Sequence, residues 1–496
     1  MKTFSLCASI FAAMVFAFSG AAQAADASSA DATANKAPPA AAAPTPTCSS
    51  FEDWILTDCP LSWYGVTIYG TVDTGVGWQS NGSPFNRYSS FGVNYLISKS
   101  SNRSLWLPSP NGLSQSNIGV KGNETLGSGW SFIFDLEAAY DPYSLQLANG
   151  PRSVAENGGV PLPDQSSGGD SRRGGQFFNN LGYLGFSSPT YGSLTVFRQN
   201  TLTLDGIAAY DPMALSYAFS PIGFSGTTCG VGRTEDCGFS TSLKYRVDIS
   251  RLRFAALWQF GGYDLNNAAN GAYQFQLGGD IPNLGQGTLS VDGIYSFVRD
   301  AVGTSLAGNP LNAFGSPVPP FLPQVYTATI SDNTSAMFLG RYTVGPLKLY
   351  AGYEWIQFAP PSDPQTAFND IGGNFLCIGC ADINNTNINN TAFSVHDEIL
   401  QIFWTGARYS VTDNLDVMGA YYHYNQNSFG AIPCSSAALS TCSGTLDAIS
   451  FAADWKFAKK FDAYAGLMYS QVNDGLANGY LKHSNIDPTV GIRFKF

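Results

Sequence analysis

The chain has 496 residues, of which only 12% are charged and 14% are aromatic, with 53 glycines and a formal net charge of −11. Soluble globular proteins carry roughly 25% charged residues, which argues against an ordinary cytosolic enzyme, and 34 Phe, 25 Tyr and 9 Trp argue against disorder. The acidity argues against a nucleic-acid binder, which needs basic patches, and no apolar run reaches the length of about 20 residues that a membrane-spanning helix requires.

Residues 1–24 read as a secretory signal: Lys2 supplies the positive start, Phe4 to Phe18 an apolar stretch, and Ala22-Gln23-Ala24 a small-residue cleavage site. Loss of Lys2 leaves 24 basic residues (25 − 1) against 36 acidic ones, a net −12 for the exported chain. Residues 25–62 are expected to form a periplasmic N-terminal tail, in which 26–47 are Ala, Pro, Ser and Thr with almost nothing to bury. With Cys7 removed, eight cysteines remain in four local pairs: Cys48 with Cys59, Cys229 with Cys237, Cys377 with Cys380, and Cys434 with Cys442. An even count in an exported chain points to disulfides. The C-x-x-C formed by Cys377 and Cys380 lies in a Gly/Asn-rich stretch with no helix pattern, which favours a loop clasp over a redox or zinc site.

From Trp63 onward the hydrophobic period is two. In the first such segment Val66, Ile68, Val72, Val76 and Trp78 share one parity, and Thr67, Tyr69, Thr71 and Asp73 share the other. Side chains alternate across a strand, so one face is apolar and the other polar. The same alternation recurs in sixteen segments: 64–79, 115–124, 129–141, 178–187, 192–200, 239–248, 251–263, 272–281, 286–300, 334–344, 346–359, 398–410, 415–427, 446–457, 461–472 and 488–496. No amphipathic helix of any length is apparent. Short turns such as "TVGP" and "SVTDN" alternate with long loops over 79–114, 142–177, 201–238, 301–333, 359–397 and 428–445. Even strand number, short turns on one side and long loops on the other, and aromatics at strand ends (Trp63, Tyr64, Trp78, Trp130, Tyr140, Trp355, Trp455) are the pattern of a transmembrane β-barrel. A soluble sandwich shares the alternation but does not account for long strands with aromatic ends. The expected fold is therefore all-β: a sixteen-stranded antiparallel up-and-down barrel over 63–496.

The stretch "SNIGVKGNETLGSGWSFIFDLEAAYD" at 116–141 closely resembles the second and third strands of general bacterial porins, through Gly119, Val120, Lys121, Gly122, Glu124, Leu126, Gly127, Gly129, Leu136 and Glu137. "YGTVDTGVGW", "YGSLTVFRQN" and "VGIRFKF" are similar to that family's first, fifth and last strands, in the same order along the chain. The resemblance implies a homotrimeric channel in a Gram-negative outer membrane, surrounded by lipid and lipopolysaccharide and passing small hydrophilic solutes and ions. It implies that the loop at about 201–238 folds into the lumen. It also implies that a chain ending in Phe494 and Phe496 carries the signal read by the outer-membrane assembly machinery.

An aqueous pore needs no catalytic group, cofactor or metal; its selectivity comes from width and lining charge. Parity and resemblance give as lining or constriction candidates Asp73, Asn117, Lys121, Asp135, Glu137, Arg198, Asp205, Asp211, Lys244 and Arg246, and parity adds Arg253, Asp292, Arg341, Lys348 and Glu354 as lining charges. Acidic groups on the loop facing basic groups on the wall would set a transverse field. Strict alternation puts Arg198 with Leu194 and Val196 on the lipid face; a local bulge would return it to the pore. The sequence departs from the family at Asn117 and Phe239, where basic residues are common. The thinner basic cluster and the acidic balance lean the pore toward cations. A substrate-selective channel for sugars or anions on the same fold is the alternative. An outer-membrane enzyme or adhesin is a third reading; His396, His423 and His483 are the only histidines, and scattered positions define no Ser/His/Asp constellation.

Overall fold

The computed structural model describes residues 48–82, 95–97, 101–143, 145, 147, 177–222, 238–260, 271–307, 324–362, 395–430, 434, 441–478 and 480–496. The proposed signal and most of the tail lie outside these residues. So do Cys229, Cys237, Cys377 and Cys380, and with them the two loop pairings expected for those four cysteines. The described residues begin with a short helix, α1 (Phe51–Leu56), and strands β1 (Leu61–Trp63), β2 (Val66–Gly82), β3 (Arg103–Pro110), β4 (Asn117–Gly127) and β5 (Trp130–Ala139). There follow β6 (Leu181–Ser188), β7 (Gly192–Asn200), helix α2 (Leu202–Tyr210), β8 (Gly238–Ile249), β9 (Leu252–Gln259), β10 (Ala272–Leu284), β11 (Gly287–Ala307) and β12 (Gln324–Val344). The last strands are β13 (Leu347–Ala359), β14 (Glu398–Thr412), β15 (Leu415–Gln426), β16 (Gly444–Ala458), β17 (Phe461–Asp474) and β18 (Ser484–Lys495).

Every consecutive strand from β4 to β18 pairs antiparallel with the next, and β18 pairs back onto β2 from Thr489↔Gly77 to Lys495↔Thr71. The sheet is therefore closed, which removes the unpaired edge that could not be solvated in lipid. The eighteen strands make sixteen staves. One stave is β3 and β4 in line on a single edge of β2, split by residues 111–116. Another is β18 and β1 in line on the opposite edge: Phe496 exchanges backbone bonds with Gly70, and β1 continues from Leu61↔Ile68 to Trp63↔Val66.

The sixteen expected segments all fall on these staves, with three differences. Residues 103–110 form a strand rather than part of a loop; Pro108 and Pro110 obscured it, because proline cannot donate to a ladder. β11 runs on to Ala307 and β12 starts at Gln324; in β12 the sequence alternates Tyr326, Ala328 and Ile330 with Thr327, Thr329 and Ser331, a strand signal the expected segment 334–344 left out. Among the described residues two α-helices appear where none was expected. α1 has only six residues, and α2 is buried around most of its circumference, so it has no solvent face to give a 3.6-residue pattern.

Turns are tight at one end. The β4–β5 turn places Ser128 and Gly129 at φ 52° and 78°, the left-handed pair that suits a two-residue hairpin. Trp63, Tyr64, Trp130, Tyr191 and Trp455 are exposed at this end, and Trp130 stacks on Tyr191 at 5.7 Å. Burial is inverted relative to a protein in water. Phe186, Leu194, Trp258, Leu277, Phe338, Phe451 and Ile492 are exposed on the outer face, while Asp73, Gln79, Gln274, Asp292, Glu354 and Arg493 are buried inside.

Candidate functional site

The interior is organised around α2 and the chain that follows it to residue 222. Thr201 caps α2, its Oγ1 accepting the Leu204 amide at 3.2 Å. The Leu202 amide, which no intrahelical carbonyl can reach, donates instead to Gln274 Oε1 of β10 at 2.6 Å. The helix thus lies against the barrel wall. Gly206 is where it comes closest: a Cβ there would stand 2.5 Å from Ile294 Cδ1 and 2.9 Å from Leu339 Cδ1.

Charged contacts fix the same helix. Lys244 Nζ donates to Asp205 Oδ2 at 2.6 Å, and Arg246 Nη2 donates to the same oxygen. Lys244 also donates to the Asn200 carbonyl at 2.7 Å. At the other end Tyr210 donates to Asp292, and Arg253 joins Asp292 at 2.9 Å and Asp280 at 2.8 Å. Arg341 donates to the Ala209 carbonyl at 3.2 Å and lies over the Tyr210 ring. Trp404 Nε1 donates to the Tyr210 carbonyl at 3.0 Å.

Asp211 ends the helix. It accepts from Tyr422 at 2.7 Å and from the Met213 and Leu215 amides at 3.1 and 2.9 Å. Burial pushes its carboxyl above the ordinary range, and those donors pull the other way. Beyond it Met213, Tyr217, Phe219 and Ile222 pack with Trp404, Tyr422, Tyr464 and Met468 on the inner wall. This apolar seam explains why β14–β17 carry hydrophobic residues on both parities.

A second charged group lines the wall near the barrel seam. Asp73 accepts from the Leu113 and Ser114 amides at 2.8 Å each and from Tyr464 at 2.7 Å. Those amides belong to the excursion between β3 and β4, so the break in that stave supplies donors to a buried carboxylate. Arg493 reaches Asp462 at 2.6 Å and Asp454 at 3.2 Å. Across the next staves Tyr69 donates to Asp135 at 2.6 Å, Lys121 lies 4.7 Å above the Tyr69 ring, and Asn180 donates to Glu137.

The sequence-derived candidates therefore divide. Asp205, Lys244 and Arg246 meet in one cluster, but they touch, whereas the expected transverse field needs an opening between them. Asp211 belongs to the same loop but faces Tyr422 rather than a cation. Asp73 joins the seam group; Lys121, Asp135 and Glu137 share one wall with Asn117, which pairs with Thr71 and Ala139. Arg198 is placed differently from expectation. The bulge exists, with Phe197 at φ 84° and a register shift before Gln199. Gln199 is the residue turned inward, bonded to Thr195 and Ser242, while Arg198 donates to the Asn179 carbonyl at 2.9 Å and Ser240 Oγ at 2.8 Å. Arg493, Tyr210 and Trp404 are absent from the sequence-derived set. Arg493 was legible by parity alone, whereas Tyr210 and Trp404 read as ordinary apolar positions.

Of the four expected cysteine pairs, two are bonded among the described residues: Cys48 to Cys59 and Cys434 to Cys442. The pairing of Cys229 with Cys237, and that of Cys377 with Cys380, fall on residues outside the described set and stay expectations from the sequence.

A closed barrel of sixteen staves, apolar outside and charged inside, with a helix folded against its inner wall, defines a transmembrane β-barrel of the outer membrane. The profile of the Gram-negative porins matches residues 9–475, and the chain belongs to that family. An outer membrane porin protein of Bordetella pertussis is 22% identical over 240 residues, covering 46% of this chain and 51% of that protein; the chain thus spans about half the length of the curated relative it matches. An anion-selective porin from Comamonas acidovorans has the same fold at 16% identity and a TM-score of 0.53, covering 87% of this chain and 99% of that one. A loop-deletion mutant of OmpT, an outer membrane protein of Vibrio cholerae, does so at 13% identity and 0.52, with the same coverage.

Proposed function

We propose that the protein is a passive diffusion channel, not an enzyme: a water-filled pore through which small hydrophilic solutes and ions cross the outer membrane. The observation that carries this is the pairing of a charged inner wall with a loop clamped onto it by Lys244, Arg246, Arg253, Arg341 and Trp404. Such a loop narrows a lumen and leaves it polar, which sets selectivity without a reacting group. The working unit is a homotrimer set in lipid and lipopolysaccharide, delivered by the assembly machinery through Phe494 and Phe496. Residues 1–24 are removed on export, and 25–47 hang in the periplasm. Cys229 with Cys237, and Cys377 with Cys380, staple two of the long loops. The pore leans toward cations. The basic groups Lys244, Arg246, Arg253 and Arg493 are each ion-paired with a carboxylate, and acidic residues outnumber basic ones 36 to 25 along the chain.

Planar-bilayer recording of the purified protein tests the reading. Large ohmic steps in groups of three are expected; absence of conductance overturns it. A potassium chloride gradient tests the lean, and a chloride preference overturns that part.

A further inference from the structure

The segment just ahead of the barrel is held in an unusual way. Cys48 and Cys59 are bonded across eleven residues and enclose α1. Ser50 caps that helix, accepting the Asp53 amide at 3.0 Å. A helix of six residues is far below the length of about 12–15 that is marginal in water, so α1 depends on its covalent loop and on what it packs against.

It packs on the seam of the barrel. The Trp54 ring stands edge-on to Phe494 and Phe496, with centroids 5.9 and 5.8 Å apart and planes at 83° and 74°. Phe494 in turn stacks on Phe461 at 4.7 Å and on Phe496 at 5.4 Å. Lys460, in the β16–β17 turn, lies 4.7 Å above the Trp54 ring and donates to the Cys59 carbonyl at 3.2 Å. Its neighbour Lys459 meets Asp58 at 3.3 Å. Directly after the disulfide, β1 occupies the edge of β2 that β18 leaves free below Phe496.

The turn at 459–460 and the end of β18 stand together through the β17–β18 pairing at Phe461↔Phe494. β1 is tied to the other side of the junction, hairpinned onto β2 from Leu61↔Ile68 to Trp63↔Val66. The segment therefore bridges the two sides, and its full receiving surface exists only when β18 has paired with β2. We propose that residues 48–63 are a latch: a disulfide-stapled helix and strand that dock last, onto the finished seam, cover the Phe494 and Phe496 rings, and hold the β18–β2 junction shut. Its ligand is this chain's own closed seam, bound by an indole between two phenylalanines and a lysine and by main-chain pairing to β2. The rings at the end of β18 are then open to another protein before closure and covered after it.

Hydrogen exchange on the folded, full-length protein in detergent tests the latch. The amides of Gly70 and Phe496 bond each other's carbonyls and report on the seam directly. Trp54→Ala, and separately Cys48→Ala with Cys59→Ala, are expected to speed exchange of both amides at least ten-fold while the mid-strand amides of β13 keep the wild-type rate. Treating folded wild type with a reductant reads the same property without a variant that must fold. It is expected to speed the seam amides in wild type and in the Cys434→Ala, Cys442→Ala double variant, and to change nothing in the Cys48→Ala, Cys59→Ala double variant. Unchanged seam exchange in Trp54→Ala, or in reduced wild type, overturns the proposal.

Discussion

Replacing Asp205 by asparagine removes a carboxylate that Lys244 and Arg246 share. Both cations stay on β8 beside the loop, so the local charge rises by one unit and nothing bulky changes. Taking one partner from a fully buried pair costs about 3–5 kcal/mol, because the remaining charge is stranded. Here that cost is smaller, since Arg246 retains partial exposure and can turn toward water. The effect on ions follows from Coulomb's law. An added unit charge about 8 Å from the ion path changes an ion's energy by about 0.5 kcal/mol in water, and by about 0.2 kcal/mol after one Debye length of screening at 0.1 M. The sign is opposite for potassium and chloride, so 0.2 kcal/mol each way shifts their permeability ratio about two-fold toward chloride. Lys244→Met shifts it by a similar factor toward potassium. Zero-current potentials in a potassium chloride gradient measure both. Equal potentials in wild type and Asp205→Asn, or shifts of the same sign in the two variants, refute the placement of this cluster beside the conducting path.

Gly206→Leu should force α2 from the wall, because even a Cβ would stand 2.5 Å from Ile294. Overpacking of this kind costs about 1–3 kcal/mol, and the expected result is a noisier, altered single-channel current; an unchanged trace counts against the clamp. Asp211 gives a pH dependence. Its carboxyl is raised in the folded loop, so the loop is best held below the ordinary carboxylate range and loosens as pH rises through the raised value. Exchange protection of 202–222 should fall with rising pH in wild type and stay flat in Asp211→Asn; protection that rises with pH is the contrary result. Phe451, exposed near the middle of β16, faces lipid in this reading. Phe451→Arg should lower folding stability in vesicles by about 2–4 kcal/mol, measured by urea titration, and a cost near zero would place this face in water. Opening Cys434–Cys442 by double alanine substitution removes about 2.5 kcal/mol of loop-closure stabilisation. That variant should gain protease cuts within 428–445 without losing the barrel.

Much of the architecture was legible because a lipid-facing strand has a period of two and no other constraint hides it. Ile68, Val72 and Val76 alternate with Tyr69 and Asp73, and the fold follows that alternation strand by strand. Where something else satisfied the backbone or covered the face, the signal faded. Pro108 and Pro110 disguised β3, and the buried wall of β14–β17 reads apolar on both parities because Tyr217 and Phe219 of the loop pack against it.

The candidate site was legible as a set of charges and not as an arrangement. Parity alone selects Asp73, Asp135, Lys244 and Arg246 as inward, since turning a strand by one residue would put them in lipid. It cannot show that Asp205 touches both cations of β8, that Gln199 rather than Arg198 turns inward at the bulge, or that Trp404 holds the end of α2. Each of these depends on where a loop comes to rest, which is set by residues more than thirty positions away. The same holds for the low charge and high aromatic content of the chain. By itself the sequence determined that it has two kinds of surface, because side chains alternate along a strand. Only the closed barrel decided which inward charges neutralise one another, because that depends on distances across the lumen and between staves.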